Sequence, residues 1–420
     1  MRVLVVAQYF PPRRSTFSSR WAWLTVHLAE RNHTVDVLAF LSANRQLGNL
    51  RHAFAADPPP AGVRFHPVRP AFQGNSLIMR GLADALTAIR AAWRSRAIDE
   101  VDVVVASAPS LMTIPVGRLL ASRRKVPFVL DLRDAWPELM ADWREWDDDG
   151  TGPTSTHPVK RFVLGAGVAL LSRLIDRARM EADAVIVTSE RLAAKLRDQG
   201  ASRVALVRNT SAKPWPYGLP RVPSTSDELR VLYMGNVGRA QRLTTAVRAA
   251  ARARDAGTRL TLRIVGSGPH WAATKRLAEE LDAPVEFVER VPTYQVLDHY
   301  RWADSVLVML REWACMRDTV PSKLYEALLT CRHITASTDG ESADLVRRHG
   351  SGDVVPPGDV DALATLWTEL AHDRQRLHIS LSGRHWVRKV LTPESLSHSF
   401  EDVLSAVVAE RRSEQGQFRH

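Results

Sequence analysis

Runs of apolar residues bounded by polar turns alternate along this chain with stretches of helical period. VLVVAQ at 3–8 reads as a buried strand, Trp21–Arg31 as an amphipathic helix and Thr34–Leu41 as a second strand. Strand, loop, helix and strand within about 40 residues is the signature of a βαβ unit in a parallel sheet. The alternation continues with a helix over Leu77–Arg96, a strand over Val101–Ala106, a helix over Leu111–Ser122 and a strand over Phe128–Leu132. A long helix over Phe162–Ala182 and strands at Ala184–Thr188 and Arg203–Val207 close the first half. The segment Lys213–Ser226 is rich in proline and reads as a linker.

Beyond the linker the pattern restarts. Strands are predicted at Leu229–Met234, Leu260–Val265, Val285–Val288, Ser305–Leu310 and Ile334–Ala336, with helices at Leu243–Ala256, Trp271–Leu281, Tyr294–Arg301 and Val360–His372. TVPSKLYEAL at Thr319–Leu328 begins another helix, for which Ser322 is the expected N-cap. A last helix over Leu396–Glu410 has the length to cross back to the first domain. The fold class is α/β, with two doubly wound, Rossmann-like domains facing a cleft. The divisions expected are 1–212, a linker at 213–226, 227–392, and a terminal helical segment at 393–420.

Composition narrows the function classes. An apolar fraction of 45% suits a globular protein, and no apolar run reaches 18 residues, so no membrane-spanning helix is expected. Cys315 and Cys331 are the only cysteines, and neither stands in a metal-ligand spacing. With an opening strand and no signal-peptide pattern, the reading is a cytoplasmic protein. The net charge of +11 is concentrated in residues 1–213, which carry 30 Lys and Arg against 20 Asp and Glu. An anionic membrane surface, an anionic substrate or a composition bias toward arginine each accounts for that excess. Nucleic acid fits poorly, because no basic stretch is interleaved with aromatics.

The chemistry-bearing residues gather where strands end, which is where open α/β sheets bind ligands. Gly235, Asn236, Gly238 and Arg239 follow one strand; Gly266 lies in a second glycine turn, and Gly340 and Glu341 in a third. Glycines let the backbone approach a ligand, and Arg239 with Arg242 offers forked hydrogen bonds to a diphosphate. Lys323 and Glu326, one turn apart at a helix start, suit a phosphate and a ribose. In the first half, Asp131, Asp134 and Glu138 cluster beyond a strand.

The motifs GNVGRAQ, IVGSGP, VPSKLYEAL, TDGESADLV and VVPPGDVDALA, in that order, resemble the C-terminal domain of retaining glycosyltransferases of family 4, which have the GT-B fold. YFPPRRSTFSSRW and DLRDAWPE resemble the N-terminal domain of the family's sugar-polymer and amino-sugar transferase branch. The resemblance implies that Glu326 binds the donor ribose and Arg239 the diphosphate. It further implies that the Gly340–Glu341 loop surrounds the donor sugar and phosphate, and that Asn209 ends the last strand of the first domain. Arg20 and the Tyr9–Arg20 loop, with Ser15 where a glycine is common, would close over the diphosphate. Asp318 stands where the family has a glutamate, Gln241 or Arg242 where it has a lysine, and Asp134 where most relatives have a histidine.

The implied activity is transfer of a hexose or amino-hexose, N-acetylglucosamine from UDP-GlcNAc being the best fit, to an acceptor hydroxyl with retention. Catalytic candidates are Asp134, Arg239 and Asp318. Donor-binding candidates are Gly235, Asn236, Arg239, Arg242, Gly266, Arg290, Lys323, Glu326, Gly340 and Glu341. Neither cofactor nor metal is expected. The acceptor is read as a lipid-linked sugar or small natural product, with the basic half peripheral on the membrane's inner face. A nucleotide-sugar 2-epimerase of the same fold is the alternative.

Overall fold

The computed structural model describes residues 1–8, 16–41, 59–72, 77–108, 110, 112–141, 158–210, 219 and 226–417. Its described residues form two compact units, each built on one parallel sheet. The first sheet comprises β1 (Arg2–Ala7), β2 (Thr34–Phe40), β3 (Val63–Val68), β4 (Val103–Ser107), β5 (Phe128–Leu132), β6 (Ala184–Val187) and β7 (Val204–Leu206), in the order β3-β2-β1-β4-β5-β6-β7. The second comprises β8 (Leu229–Asn236), β9 (Leu260–Ser267), β10 (Val285–Glu289), β11 (Ser305–Met309), β12 (His333–Ser337) and β13 (Gly352–Val355), in the order β10-β9-β8-β11-β12-β13. Both are doubly wound: chain order reverses between β1 and β4 in one and between β8 and β11 in the other. Helices cover both faces, so the central strands are largely apolar, most plainly at Val3–Val6 and Val103–Val105.

Two strands, β3 and β13, were not predicted from the sequence, and both are edges. β3 (VRFHPV) carries Arg64, His66 and Pro67, and an edge strand tolerates a proline because one side needs no ladder donors. β13 is four residues long and begins at Gly352. The helices Glu190–Asp198 and Ser382–Val390 are likewise additional to the sequence reading. The first helix spans Thr16–Glu30, so Thr16–Arg20 are helical and not loop. Pro321 occupies the N-cap of the helix Ser322–Thr330, whose first residue is Ser322, and no side chain caps it.

The C-terminal helix Pro393–Gln417 packs on Thr16–Glu30 within the first unit. Phe400 meets the buried Trp21 edge-on, with ring centroids 5.7 Å apart. Glu401 takes Arg31 Nε at 2.6 Å and His33 Nε2 at 2.8 Å. Burial alone would raise its carboxyl pKa, but hydrogen bonds from His33, Arg31 and His27 outweigh that and hold it at about 2.

Candidate functional site

At the switch point of the second sheet, β8 and β9 pair through Gly235 and Gly266. Both have positive φ, +147° and +153°, and a Cβ on Gly266 would stand 1.9 Å from the Gly235 carbonyl oxygen. Only two glycines allow the strand ends to lie this close. The ladder carries β8 through Gly235 and exposed Asn236, so these are strand residues and the loop starts at Val237. A turn of 3-10 helix then holds half-buried Arg239 at its first position. Arg242 follows in the left-handed region, at φ 42°, and ion-pairs with Glu312. That pair, with the Arg311 N–H donating to the Ala240 carbonyl at 2.8 Å, ties the loop after β8 to the loop after β11. Arg242, expected as a phosphate clamp, thus lies in an inter-loop tie in this structure.

Lys323 and Glu326 project from the helix Ser322–Thr330 toward two tyrosines. The Lys323 ammonium donates to the Tyr233 hydroxyl at 2.5 Å and lies 4.1 Å from that ring's centroid. Tyr233 in turn donates to the Asn236 carbonyl at 2.5 Å. Burial drives the Lys323 pKa down to about 7, against the opposing attraction of Glu326. The buried Tyr300 hydroxyl donates to Glu326 Oε2 at 3.4 Å. The result is a half-buried cation and a half-buried carboxylate, each held by a tyrosine beside the glycine pair.

Gly340, φ +64°, opens the helix Glu341–Arg348, and a Cβ there would meet the Arg317 carbonyl oxygen at 2.2 Å. The turn Ala314–Asp318 rests directly on it, so half-buried Asp318 is fixed against this loop. Arg317 Nε pairs with Asp339 at 3.0 Å, and the Gly340 N–H donates to the Asp339 side chain at 2.7 Å. That N–H is consequently not an open anion donor, and Glu341 is buried at 4% exposure. Arg290 is exposed after β10, the edge strand, with β9 between it and β8. At the opposite end of this sheet Ser305, His333 and Asp353 form a hydrogen-bonded chain. Both Ser305 and His333 are wholly buried, which makes that chain part of the core.

In the first unit the strand ends hold a buried ionic network. Arg20, 1% exposed, donates to the Val207 and Arg208 carbonyls at 3.0 and 3.1 Å and to Asn209 Oδ1 at 3.4 Å. Its other terminal nitrogen pairs with Asp131 at 3.0 Å. Asp131 also takes Ser107 Oγ at 2.9 Å and Arg133 Nε at 3.3 Å. Arg20 and Asn209 do come together, but as a buried strut joining a helix to β5 and the end of β7; Arg20 is not a reaching phosphate ligand. Asp134 is half-buried beyond β5, and burial raises its pKa to about 6 against the pull of Arg133. Ser15 and the rest of the Tyr9–Ser15 segment lie outside the described residues. Among those described, no group of His, Cys, Asp and Glu could hold a metal ion, and no helix is long and apolar enough to cross a membrane.

Tyr233 and Tyr300, which hold two of the candidate residues, were not singled out from the sequence. A tyrosine inside a strand or on an apolar helix face reads as core, and only its hydroxyl's need for a partner hints otherwise.

Two domain models match the chain: a glycosyl transferase 4-like domain over residues 17–210 and a domain of glycosyl transferases group 1 over 228–373. No curated protein matches it. Sucrose-phosphate synthase from Thermosynechococcus elongatus is similar in structure, with a TM-score of 0.69 at 18% identity, covering 97% of this chain and 99% of that one. Anabaena HepE in complex with UDP superposes with a TM-score of 0.62 at 15% identity, over 97% and 100% of the two chains. TarM from S. aureus, in a complex that includes UDP, gives 0.66 at 9% identity, over 96% and 99%. Matched by one glycosyltransferase domain and then the other, on two parallel Rossmann-like sheets, the chain belongs to the glycosyltransferases of the GT-B type.

Proposed function

We propose that this glycosyltransferase is a retaining enzyme of family 4 that takes a hexose or amino-hexose from a nucleotide sugar. UDP-N-acetylglucosamine is the best-fitting donor, and the acceptor carries a free hydroxyl on a lipid-linked sugar or small natural product. The observation that carries the reading is the Tyr233–Lys323 and Tyr300–Glu326 pairing beside Gly235 and Gly266. Glu326, steadied by Tyr300, accepts the ribose hydroxyls. Lys323 and the N–H groups at its helix start face the diphosphate, where negative charge grows as the sugar leaves. Arg239 adds a forked donor from the loop after β8, and Asp318, fixed on Gly340, faces the sugar. HepE and TarM, whose structures hold UDP, support a uridine donor by likeness of fold.

In the first domain, Asp134 is assigned to the acceptor hydroxyl. Its pKa near 6 leaves it ionised at neutral pH yet basic enough to orient or take a proton. As the bond from the sugar carbon to the diphosphate breaks and the bond to the acceptor oxygen forms, the departing diphosphate takes the acceptor's proton, so no strong base and no metal are required. The test is a thermal-shift panel of UDP-, GDP- and dTDP-sugars, because a ligand that binds the folded state raises its melting temperature. A shift with the UDP-sugars is expected. The absence of a shift with every donor overturns the reading.

A further inference from the structure

The helix Leu77–Arg94 is turned inside out. It buries small residues, Ala83, Thr87 and Ala91, against the first sheet. Its large apolar side chains, Met79, Leu82, Leu86, Ile89 and Trp93, form a stripe at alternating spacings of three and four residues and stand in solvent. Ile89 is 65% exposed and Trp93 69%. A stripe of this regularity normally faces a core. Beside it runs an apolar groove of about 390 Å³ shared with the helix Thr113–Arg124, lined by Ile89, Trp93, Val116, Leu119, Arg96 and Arg123. A contiguous apolar patch rimmed by charge marks an interaction surface.

The charge on these two helices chooses the occupant. They carry six arginines, at 80, 90, 94, 118, 123 and 124, against the single carboxylate Asp84. Some of the six serve the fold: Arg118 pairs with Glu181, and Arg124 donates to the Ser95 and Ile98 carbonyls. Arg94, Arg96 and Arg123 are exposed along the stripe and groove. A second copy of the chain meeting this face about a two-fold axis would set arginines against arginines. Apolar side chains with an exposed tryptophan and a one-sided arginine rim match the boundary between acyl chains and acidic headgroups.

We infer that the helices Leu77–Arg94 and Thr113–Arg124 form a docking surface for an anionic lipid bilayer, with Ile89 and Trp93 inserted and Arg94, Arg96 and Arg123 against the headgroups. Docking stands independently of the donor site. It rests on the transfer reading only in giving that reaction a lipid-borne acceptor. The membrane contact is peripheral, because the stripe occupies one face of a helix that packs on the sheet with its other.

Flotation of the full chain with phosphatidylglycerol–phosphatidylcholine vesicles and with phosphatidylcholine vesicles tests it. The variant is Ile89→Gln/Trp93→Gln, two exposed positions with helix-compatible replacements. The wild type should float with the anionic vesicles, less at high salt, and the double variant should lose about tenfold in binding. Its thermal shift with UDP-sugars should be unchanged, which separates a failure of docking from a failure of the donor reading. Equal flotation of variant and wild type, no flotation of either, or a wild-type dimer that the substitutions dissociate would each overturn the proposal.

Discussion

The two sheets share a topology, and they use their C-terminal strand ends in opposite ways. In the first, Arg20, Arg133 and Ser107 all donate to Asp131, and all four side chains are buried. In the second, Gly235 and Gly266 strip side chains from the strand ends, and Lys323 and Glu326 stand half-buried beside them, Lys323 against Tyr233 and Glu326 against Tyr300. Charge that is wholly buried in an ion-paired network holds a fold together, while charge that stays half-exposed at a strand end is open to a ligand. A charged residue at the end of a parallel strand therefore does not by itself announce a binding site. Its partners decide.

Breaking the buried network should have the larger consequence. Asp131→Asn leaves the buried Arg20 and Arg133 without their carboxylate, and removing one partner of a buried ion pair costs about 3–5 kcal/mol. Urea unfolding of the variant should show a loss of that order; a loss under about 1 kcal/mol would mean that the network contributes little. The glycine end comes next. Gly266→Ala would set a methyl group 1.9 Å from the Gly235 carbonyl oxygen, in a backbone region that alanine avoids. The strand ends must part, at a cost of about 2–4 kcal/mol. The same measurement checks it, and near-wild-type stability would show that the close approach of β8 and β9 is dispensable.

Both sheets were legible in the sequence because central parallel strands are apolar on two faces, and only the edge strands β3 and β13, diluted by Pro67 and Gly352, were not. The glycines were legible for a related reason: Gly235, Gly266 and Gly340 are needed by their own backbone, so residue type and conformation coincide. Partnerships were not legible. Arg20 finds Asp131 from 111 residues away, and Lys323 finds Tyr233 from 90. Arg20 looked like a ligand because nothing local reveals that the fold consumes its charge. Tyr233 looked like core for the converse reason, that its hydroxyl's role belongs to a distant helix. Arg242 and its tie to Glu312 repeat the lesson on a smaller scale.

In the proposed donor site, the end of the second sheet binds the diphosphate through Lys323. With a folded pKa near 7, well below the ordinary lysine value, Lys323 is protonated in the free protein only below about that pH. Between there and the unfolded pKa the folded chain holds fewer protons than the unfolded one, so this group makes stability rise with pH across that window. Donor binding runs the other way, because the diphosphate needs the charged form. Calorimetric titration of a UDP-sugar, whose diphosphate keeps its charge throughout, should show affinity falling by about tenfold or more from pH 6 to pH 9 in the wild type. Lys323→Met should bind weakly and without that dependence. Equal affinity and an equal pH profile for Lys323→Met and the wild type would contradict the account.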